Sequence, residues 1–289
     1  MTLTIGWIGL GTMGGPMAGH LLRAGHTVQA FNRNPARAEQ WQQQHGQACV
    51  ASIAEAVTGA DIVFSCVGND EDLREITSAA FPHMQTDAVW VDHSTTSATV
   101  ARELSALAQQ HQLHFLDAPI SGGQAGAEKG QLAVMVGGDS QAFERIKPIL
   151  TAYAKRAQWI GESGAGQLTK MVNQICFTGV VAGLAEGLYF AEKVGLNTDA
   201  MLEVISQGAA QSWQMDNRAH TMLRGEYNFG FAVDLVRKDL DIVLATAKDS
   251  HCQLDGVTQI HHWYKELQKI GYGTSDTSVL IERLRHQKT

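Results

Sequence analysis

Over its first half the chain alternates short β-branched, apolar runs with stretches in which apolar residues recur every three or four positions. The runs TIGWI at 4–8, TVQAF at 27–31, DIVFSCV at 61–67 and AVWVD at 88–92 have strand length and composition. Separated by helical patterns, they predict βαβ units around a parallel sheet. HFLD at 114–117 and QLAVMVG at 131–137 are further strands, so a sheet of more than six is expected. All five prolines, Pro16, Pro35, Pro82, Pro119 and Pro148, lie in this half, and none follows residue 149. Beyond it Ile175, Val181, Leu184, Leu188 and Val194 recur at helical spacing. The pattern predicts an all-helical second domain, joined to a Rossmann-type α/β domain by a long helix from about Gln167 to Val194. The expected domains are 1–163 and 164–289, with the boundary near Gly161 to Gly166.

The first turn carries candidate chemistry. GLGTMGG places Gly9, Gly11 and Gly14 at GxGxxG spacing, directly after a strand and just before the helix that begins near Pro16. Glycines there permit a tight turn and close backbone approach to a pyrophosphate, which the helix N-terminus then holds. In isolation the spacing also fits a glycine-rich turn of any α/β protein, and it is the strand before and helix after that favour a dinucleotide. The second strand ends in FNRNPAR, where an acidic residue would bind the ribose hydroxyls of NAD. Asn32 stands there instead, followed by Arg33 and, one helical turn on, Arg37, which offer donors to a 2′-phosphate. NADP is therefore the expected cofactor, with NAD the alternative and two solvated surface arginines the simplest competing reading.

Composition narrows the partners. A chain of 289 residues, 44% apolar and 18% charged, is long enough for two ordinary globular domains. Its net charge of −7 provides no basic field for nucleic acid, and no lysine or arginine run marks an anionic membrane surface. The strongly apolar stretch Ile175 to Ala185 is shorter than the roughly 18 residues of a membrane span, so no membrane partner is expected. The N-terminal sequence lacks the basic start and cleavage site of a signal peptide, and a cytoplasmic protein is expected. Cys49, Cys66, Cys176 and Cys252 are widely spaced, three of them in apolar surroundings, and read as reduced filler. His111 with His114, and His261 and His262 with Cys252, do not complete a ligand set at a supporting spacing, so no metal site is expected.

The start of the long helix, GAGQLTKMVNQ at 164–174, raises a separate question. At 3.6 residues per turn Lys170, Asn173 and Gln174 share a face, with Leu168, Met171, Val172 and Ile175 expected to pack around them. A buried ammonium is costly unless something uses it.

Taken together these motifs resemble the β-hydroxyacid dehydrogenase family, whose members include 3-hydroxyisobutyrate dehydrogenase, tartronate semialdehyde reductase and the glyoxylate/succinic semialdehyde reductases. The likeness runs through GLGTMGGPMAGHLL, DHST at 92–95, DAPISGG at 117–123 with GAEKG at 126–130, GAGQLTK at 164–170 and KDL at 238–240, and so covers essentially the whole chain. It implies hydride transfer between a nicotinamide and a small carboxylate-bearing substrate, with Lys170 as acid/base and carbonyl polariser. A lysine serving as a base near neutrality would need its pKa, ordinarily near 10.4, to fall. In the family the residue three or four past the lysine positions the substrate oxygen, which the resemblance implies for Asn173. Gln174, where some relatives have a second asparagine, is a substrate-binding candidate beside it, and which of the two takes the role stays open. Ser121, Gly122 and Gly123 would form an anion nest for the substrate carboxylate. Cofactor contacts would come from the loop residues Leu10, Thr12 and Met13 with the three glycines, from Val67, Asn69 and Thr95, and from Lys238 on the nicotinamide side. Trp213, in GAAQSW at 208–213, either packs a helix or shapes the far end of the substrate pocket.

Relatives assemble as dimers or tetramers, and the small residues Gly179, Ala182, Gly183 and Ala185 on the long helix suggest the same here. Two other functions compete: an imine reductase, in which the lysine is replaced, and a non-catalytic NADPH-binding module, which needs neither lysine nor nest. The residues leave open which substrate is used among 3-hydroxyisobutyrate, 3-hydroxypropionate, tartronate semialdehyde, succinic semialdehyde and glyoxylate.

Overall fold

The computed structural model describes residues 2–286. Contacts divide the chain into two compact units, one ending at Lys170 and the other starting at Met171. The first unit holds β1 (Thr4–Ile8), α1 (Gly14–Arg23), β2 (Thr27–Phe31), α2 (Pro35–His45), α3 (Ile53–Val57), β3 (Ile62–Ser65) and α4 (Asp70–Ala80). After these come β4 (Val89–Asp92), α5 (Ala98–Gln110), β5 (His114–Asp117), β6 (Ile120–Ser121), α6 (Gly123–Glu128), β7 (Leu132–Gly138), α7 (Ser140–Leu150) and β8 (Ala154–Gly161). Strands β2, β1, β3, β4 and β5 lie side by side and parallel. β7 runs antiparallel to β5 and β6, and β8 closes the edge parallel to β7.

Successive side chains of a strand point to opposite faces, and here both faces are apolar. Trp7, Phe64, Val91 and Leu116 pack under Met17 and Leu21 of α1 and Phe143 and Ile146 of α7. Their neighbours Ile8, Val63, Trp90 and Phe115 pack with Leu73 of α4 and Val100 and Leu104 of α5. A sheet covered on both sides in this way is the doubly wound Rossmann arrangement expected from the alternating runs. Strand order reverses at β1, which has β2 on one side and β3 on the other. Ligands of such sheets bind beyond the carboxyl ends of the strands at that reversal, where Gly9 follows β1 and Cys66 and Val67 follow β3. The sequence pattern did not anticipate β8: it is mostly exposed, so it shows neither alternation nor an apolar run.

The second unit is helical. Helix α8 (Ala165–Lys193) begins in the first unit, and α9 (Thr198–Ile205), α10 (Trp213–Arg224), α11 (Val233–Asp249), α12 (Asp255–Lys269) and α13 (Leu280–Arg285) follow it. Val181, Ala185 and Leu188 of α8 pack with Leu202, Met222, Val236, Leu240, Tyr264 and Ile281 in the second core. Two expectations for α8 change. Leu168 and Val172 are exposed, so they do not pack around Lys170 but lie on the far side of the helix. Ala182 and Ala185 are buried in the unit's own core, whereas Gly179 and Gly183 face open space. By length and composition α8, with 29 residues and a mean hydropathy of 1.3 in its most apolar window, could cross a membrane, yet one of its faces forms the core just described. One expectation for the cysteines also changes: Cys176 and Cys252 are exposed, where three of the four were expected in apolar surroundings.

Candidate active site

Each glycine of the first loop has a different cause. Gly9 has φ +101°, and a Cβ there would lie 2.3 Å from the Cys66 carbonyl oxygen after β3, so only glycine fits the turn from β1 to α1. A Cβ on Gly14 would lie 2.0 Å from the Gly9 carbonyl oxygen, so this glycine lets α1 start against β1. Gly11 is constrained by neither. The nearest atom to a Cβ there is Nη1 of Arg37, at 3.2 Å. Space above Gly11 is open apart from that guanidinium, which suits close approach of a phosphate group. Helix α1 starts at Met13 and Gly14 with no side-chain cap and no acidic residue in its first turn, so its N-terminal N–H groups and positive dipole end suit an anion. Trp7 fixes the loop from below, its Nε1–H donating to the Gly9 carbonyl at 2.9 Å. Leu10 N–H donates to Asn32 Oδ1 at 2.8 Å while Asn32 Nδ2 donates to the Asn34 carbonyl at 2.9 Å, so the Asn32 carboxamide ties the loop to the end of β2. Arg33 is exposed and paired with Asp72 and Glu75 of α4.

Around β3 and β4 the side chains serve mainly to hold backbone in place. Asn69 caps α4, its Oδ1 accepting from Asp72 N–H at 2.8 Å. Val67 N–H donates to Ser94 Oγ at 2.8 Å, and Ser94 Oγ–H donates to Asp92 Oδ1 at 2.6 Å. Ser65 Oγ–H donates to the same carboxylate oxygen at 2.7 Å. Burial pushes the Asp92 carboxyl up to about 7 against these hydrogen bonds. Thr95 is half-buried in the turn that follows. His93 is buried and held neutral, its pKa lowered to about 4 by desolvation, with Nδ1 2.6 Å from the Ala118 carbonyl and Nε2 2.7 Å from Tyr153 Oη.

The same unit anchors the lysine. Asp117, at the end of β5, accepts from Gly164 N–H at 2.7 Å and Gln167 N–H at 2.9 Å, which satisfies donors at the start of α8. Burial raises its carboxyl to about 6, and the hydrogen bonds from Gly164 and Gln167 oppose that rise. Gln167 then braces the turn after β4: its Nε2 donates to the Ser94 carbonyl at 2.8 Å and its Oε1 accepts from Thr96 N–H at 3.2 Å. One turn further along α8, Lys170 is 8% exposed and its Nζ donates to the Ile120 carbonyl at 2.8 Å. Ile120 immediately precedes Ser121, Gly122 and Gly123. Gly122 and Gly123 have φ values of +137° and +62°, conformations that favour glycine, and both are exposed. The ammonium and the Ser-Gly-Gly turn are thus brought together within the first unit.

In the second unit Asn173, Gln174 and Lys238 converge on a residue that the sequence patterns did not single out, Asp239. Gln174 Nε2 donates to Asp239 Oδ2 at 2.6 Å, and Asn173 Nδ2 donates to Gln174 Oε1 at 2.8 Å. Lys238 Nζ lies 3.2 Å from Asp239 Oδ1. Asp117 and Asp239 were both legible only as members of motifs, the aspartates of DAPISGG and KDL, with no signal of what each would hold. Trp213 is exposed at the start of α10 and stacks on the Arg218 guanidinium, 5.2 Å from the ring centroid.

Models of two protein families cover nearly the whole chain. Residues 4–161 match the NAD binding domain of 6-phosphogluconate dehydrogenase, and residues 164–284 match the domain described as NAD-binding of NADP-dependent 3-hydroxyisobutyrate dehydrogenase. The chain belongs to the β-hydroxyacid dehydrogenase family. Among curated relatives of this dehydrogenase family, an uncharacterized oxidoreductase of Shewanella frigidimarina is 50% identical over 99% of both chains. A probable 3-hydroxyisobutyrate dehydrogenase-like protein of Arabidopsis thaliana is 35% identical over 98% of this chain and 86% of its own. The solved 3-hydroxyisobutyrate dehydrogenase of Mycobacterium tuberculosis, with L-serine, superposes with a TM-score of 0.90 at 31% identity, covering 99% of this chain and 100% of that one. The chain is therefore an oxidoreductase of a family of NAD(P)-dependent hydroxyacid dehydrogenases, and its residues 4–161 match an NAD-binding domain.

Proposed function

We propose that the protein transfers a hydride between NADP(H) and a small β-hydroxy acid or its semialdehyde, with Lys170 exchanging the proton at the substrate oxygen. The observation that carries this reading is the buried Lys170 ammonium, hydrogen-bonded to the Ile120 carbonyl one residue before the Ser121–Gly122–Gly123 turn. A substrate bound through its carboxylate by the N–H groups and hydroxyl of that turn has its β-carbon oxygen a short distance from the anchoring group, which suits an acid/base held beside the turn. Lys170 donates a proton as the carbonyl is reduced, and its charge stabilises negative charge developing on the oxygen before transfer is complete. Asn173 orients that oxygen. The nicotinamide supplies or accepts the hydride. The loop of Gly9 to Gly14, with Asn32, Arg33 and Arg37 at the end of β2, and Val67, Asn69, Thr95 and Lys238 are the proposed dinucleotide contacts.

The test is spectrophotometric: NADPH and NADH with 3-hydroxyisobutyrate, 3-hydroxypropionate, tartronate semialdehyde, succinic semialdehyde and glyoxylate, in both directions. Turnover of at least one of these, and faster turnover than of any cyclic imine, is expected. Cyclic imines turned over while all the acids are refused would replace the reading with an imine reductase.

The same proposal extends to assembly as a homodimer or homotetramer. Leu168, Val172, Val180 and Phe190 form an exposed apolar stripe along α8, and Cβ atoms on Gly179, Gly183 and Gly187 would meet nothing within 4 Å. A stripe of this kind, open over its small residues, suits a second helix at close range. Light scattering at micromolar concentration should give a multiple of the 31.3 kDa chain mass. A monomer would remove this part of the proposal.

A further inference from the structure

We infer that His93 is a positioning residue: held with Tyr153 as its Nδ1–H tautomer, it fixes the segment 118–120, which carries the acceptor of the Lys170 ammonium and leads into the Ser121–Gly122–Gly123 turn. The inference rests on the reading of Lys170 as acid/base and of that turn as the carboxylate site. His93 follows β4 and is 1% exposed. A backbone carbonyl only accepts, so Nδ1, 2.6 Å from the Ala118 oxygen, must carry a proton. Burial holds the ring neutral, and a neutral imidazole has one N–H. Nε2 is therefore left as the acceptor for the Tyr153 hydroxyl, 2.7 Å away. Tyr153 Oη–H donates to Nε2 while Nδ1–H donates to Ala118, and in a dry interior each bond polarises the other. This is the opposite tautomer to the one a free histidine side chain favours in water. The plane of the ring is set as well: Phe64 stacks on it at 5.6 Å and 12°, and Tyr153 meets it edge-on at 5.6 Å and 89°.

The place of the held carbonyl gives the bond its consequence. Between the end of β5 at Asp117 and the start of β6 at Ile120 lie only Ala118 and Pro119, and proline has no N–H of its own to anchor the crossing. Ala118 N–H donates to the Asp92 carbonyl at 2.7 Å, so the consecutive residues Asp92 and His93 grip both backbone groups of Ala118. Further along the same segment, the Ile120 carbonyl accepts from Lys170 Nζ, and Ser121 follows it. Without the imidazole donor a buried carbonyl is left unpaired just where the lysine's acceptor and the turn are set, and the segment has to shift to satisfy it. A ring that only filled space between Phe64 and Tyr153 would leave that segment where it is, and the experiment has to tell the two roles apart.

Two variants of the full-length enzyme do so. His93→Phe keeps a flat ring in the stack but has no donor, whereas His93→Asn gives up the ring and places an amide nitrogen near the position of Nδ1. The phenylalanine variant should lose about tenfold in kcat/KM for the acid, the scale of one buried hydrogen bond, with the KM for NADPH unchanged. The asparagine variant should recover to within about threefold of the unmodified enzyme, although it melts lower than the phenylalanine one because it opens a void. Activity that follows the melting temperature instead, or equal weakening of acid and NADPH in His93→Phe, overturns the inference and makes the ring core filling.

Two measurements without substrate decide the matter even if none of the tested acids is turned over. In nitrogen NMR of the histidine rings, the signals that disappear in the His93 variants should be those of a protonated Nδ1 and an unprotonated Nε2; the reverse pattern overturns the inference. Backbone hydrogen exchange over residues 118–123 should rise in His93→Phe, stay near that of the unmodified protein in His93→Asn, and leave residues 9–14 of the phenylalanine variant unaffected. Unchanged exchange over 118–123 in His93→Phe overturns the inference, whereas the expected pattern in a protein that turns over none of the acids refutes only the proposed reaction.

Discussion

Replacing Lys170 with alanine should lower turnover by roughly a hundred- to ten-thousand-fold, the range associated with a positioned general acid or base, while NADPH still binds. The side chain is buried and its Nζ is held by the Ile120 carbonyl, so its position is set by the protein before any substrate arrives. Such a group contributes to the transition state without a reorganisation cost. Truncation also leaves the Ile120 carbonyl without its ammonium and opens a small void, and each can cost stability. Lys170→Met fills the space without the charge and separates the effects. If the lysine is the proton donor, the methionine variant is as inactive as the alanine one but melts closer to the unmodified protein. Lys170 lies on α8 beside the Ser121–Gly122–Gly123 turn, whereas the proposed phosphate loop follows β1, so NADPH titration followed by fluorescence should give nearly the same dissociation constant in all three proteins. Substantial turnover in Lys170→Met would show that the proton comes from elsewhere.

The parts of this molecule that the sequence revealed are those governed by periodicity or by a residue type with few alternatives. Two-sided apolar strands such as Ile62–Ser65 and Val89–Asp92, and the single occupant allowed at Gly9 and Gly14, follow from local rules. Strand β8 does not, because an exposed edge strand imposes no pattern on its side chains. The outward turn of Leu168 and Val172 was hidden for a related reason: a helix apolar on most of its circumference has no clear inward face until the core is known. Lys170 and the Ser121–Gly122–Gly123 turn are about fifty positions apart, and only the pairing of β6 with β7 and the docking of the α8 start on Asp117 bring them together. Asp239 shows the limit most plainly. Its neighbour in sequence, Lys238, carried the motif, but its partner Gln174 lies 65 residues away, and nothing local distinguishes a buried aspartate that accepts from an amide from one on a helix surface.

Cofactor choice should turn on the arginines after β2. Arg33→Ala is expected to raise the KM for NADPH by about ten- to a hundredfold, the cost of one charge-assisted contact, and to leave the KM for NADH nearly unchanged, since NADH presents only a hydroxyl at that position. The pairs that Arg33 makes with Asp72 and Glu75 do not prevent this. Its side chain is 72% exposed, and ion pairs so open to water contribute little, so a 2′-phosphate with up to two charges can draw the guanidinium away. Arg37 stands closer to the loop, with Nη1 beside Gly11, and Arg37→Ala should also weaken NADPH selectively. Asn32→Asp is the reverse experiment. The new carboxylate would keep the hydrogen bond from Leu10 N–H, but it would replace the donor that Asn32 Nδ2 gives to the Asn34 carbonyl with an acceptor. It would also gain a ribose acceptor that repels a 2′-phosphate. The preference should move toward NADH, accompanied by a small loss of melting temperature from the carbonyl facing it. Equal weakening of both cofactors in Arg33→Ala, or an unmodified enzyme that already prefers NADH, would mean that these arginines are surface charges and that the dinucleotide is selected elsewhere.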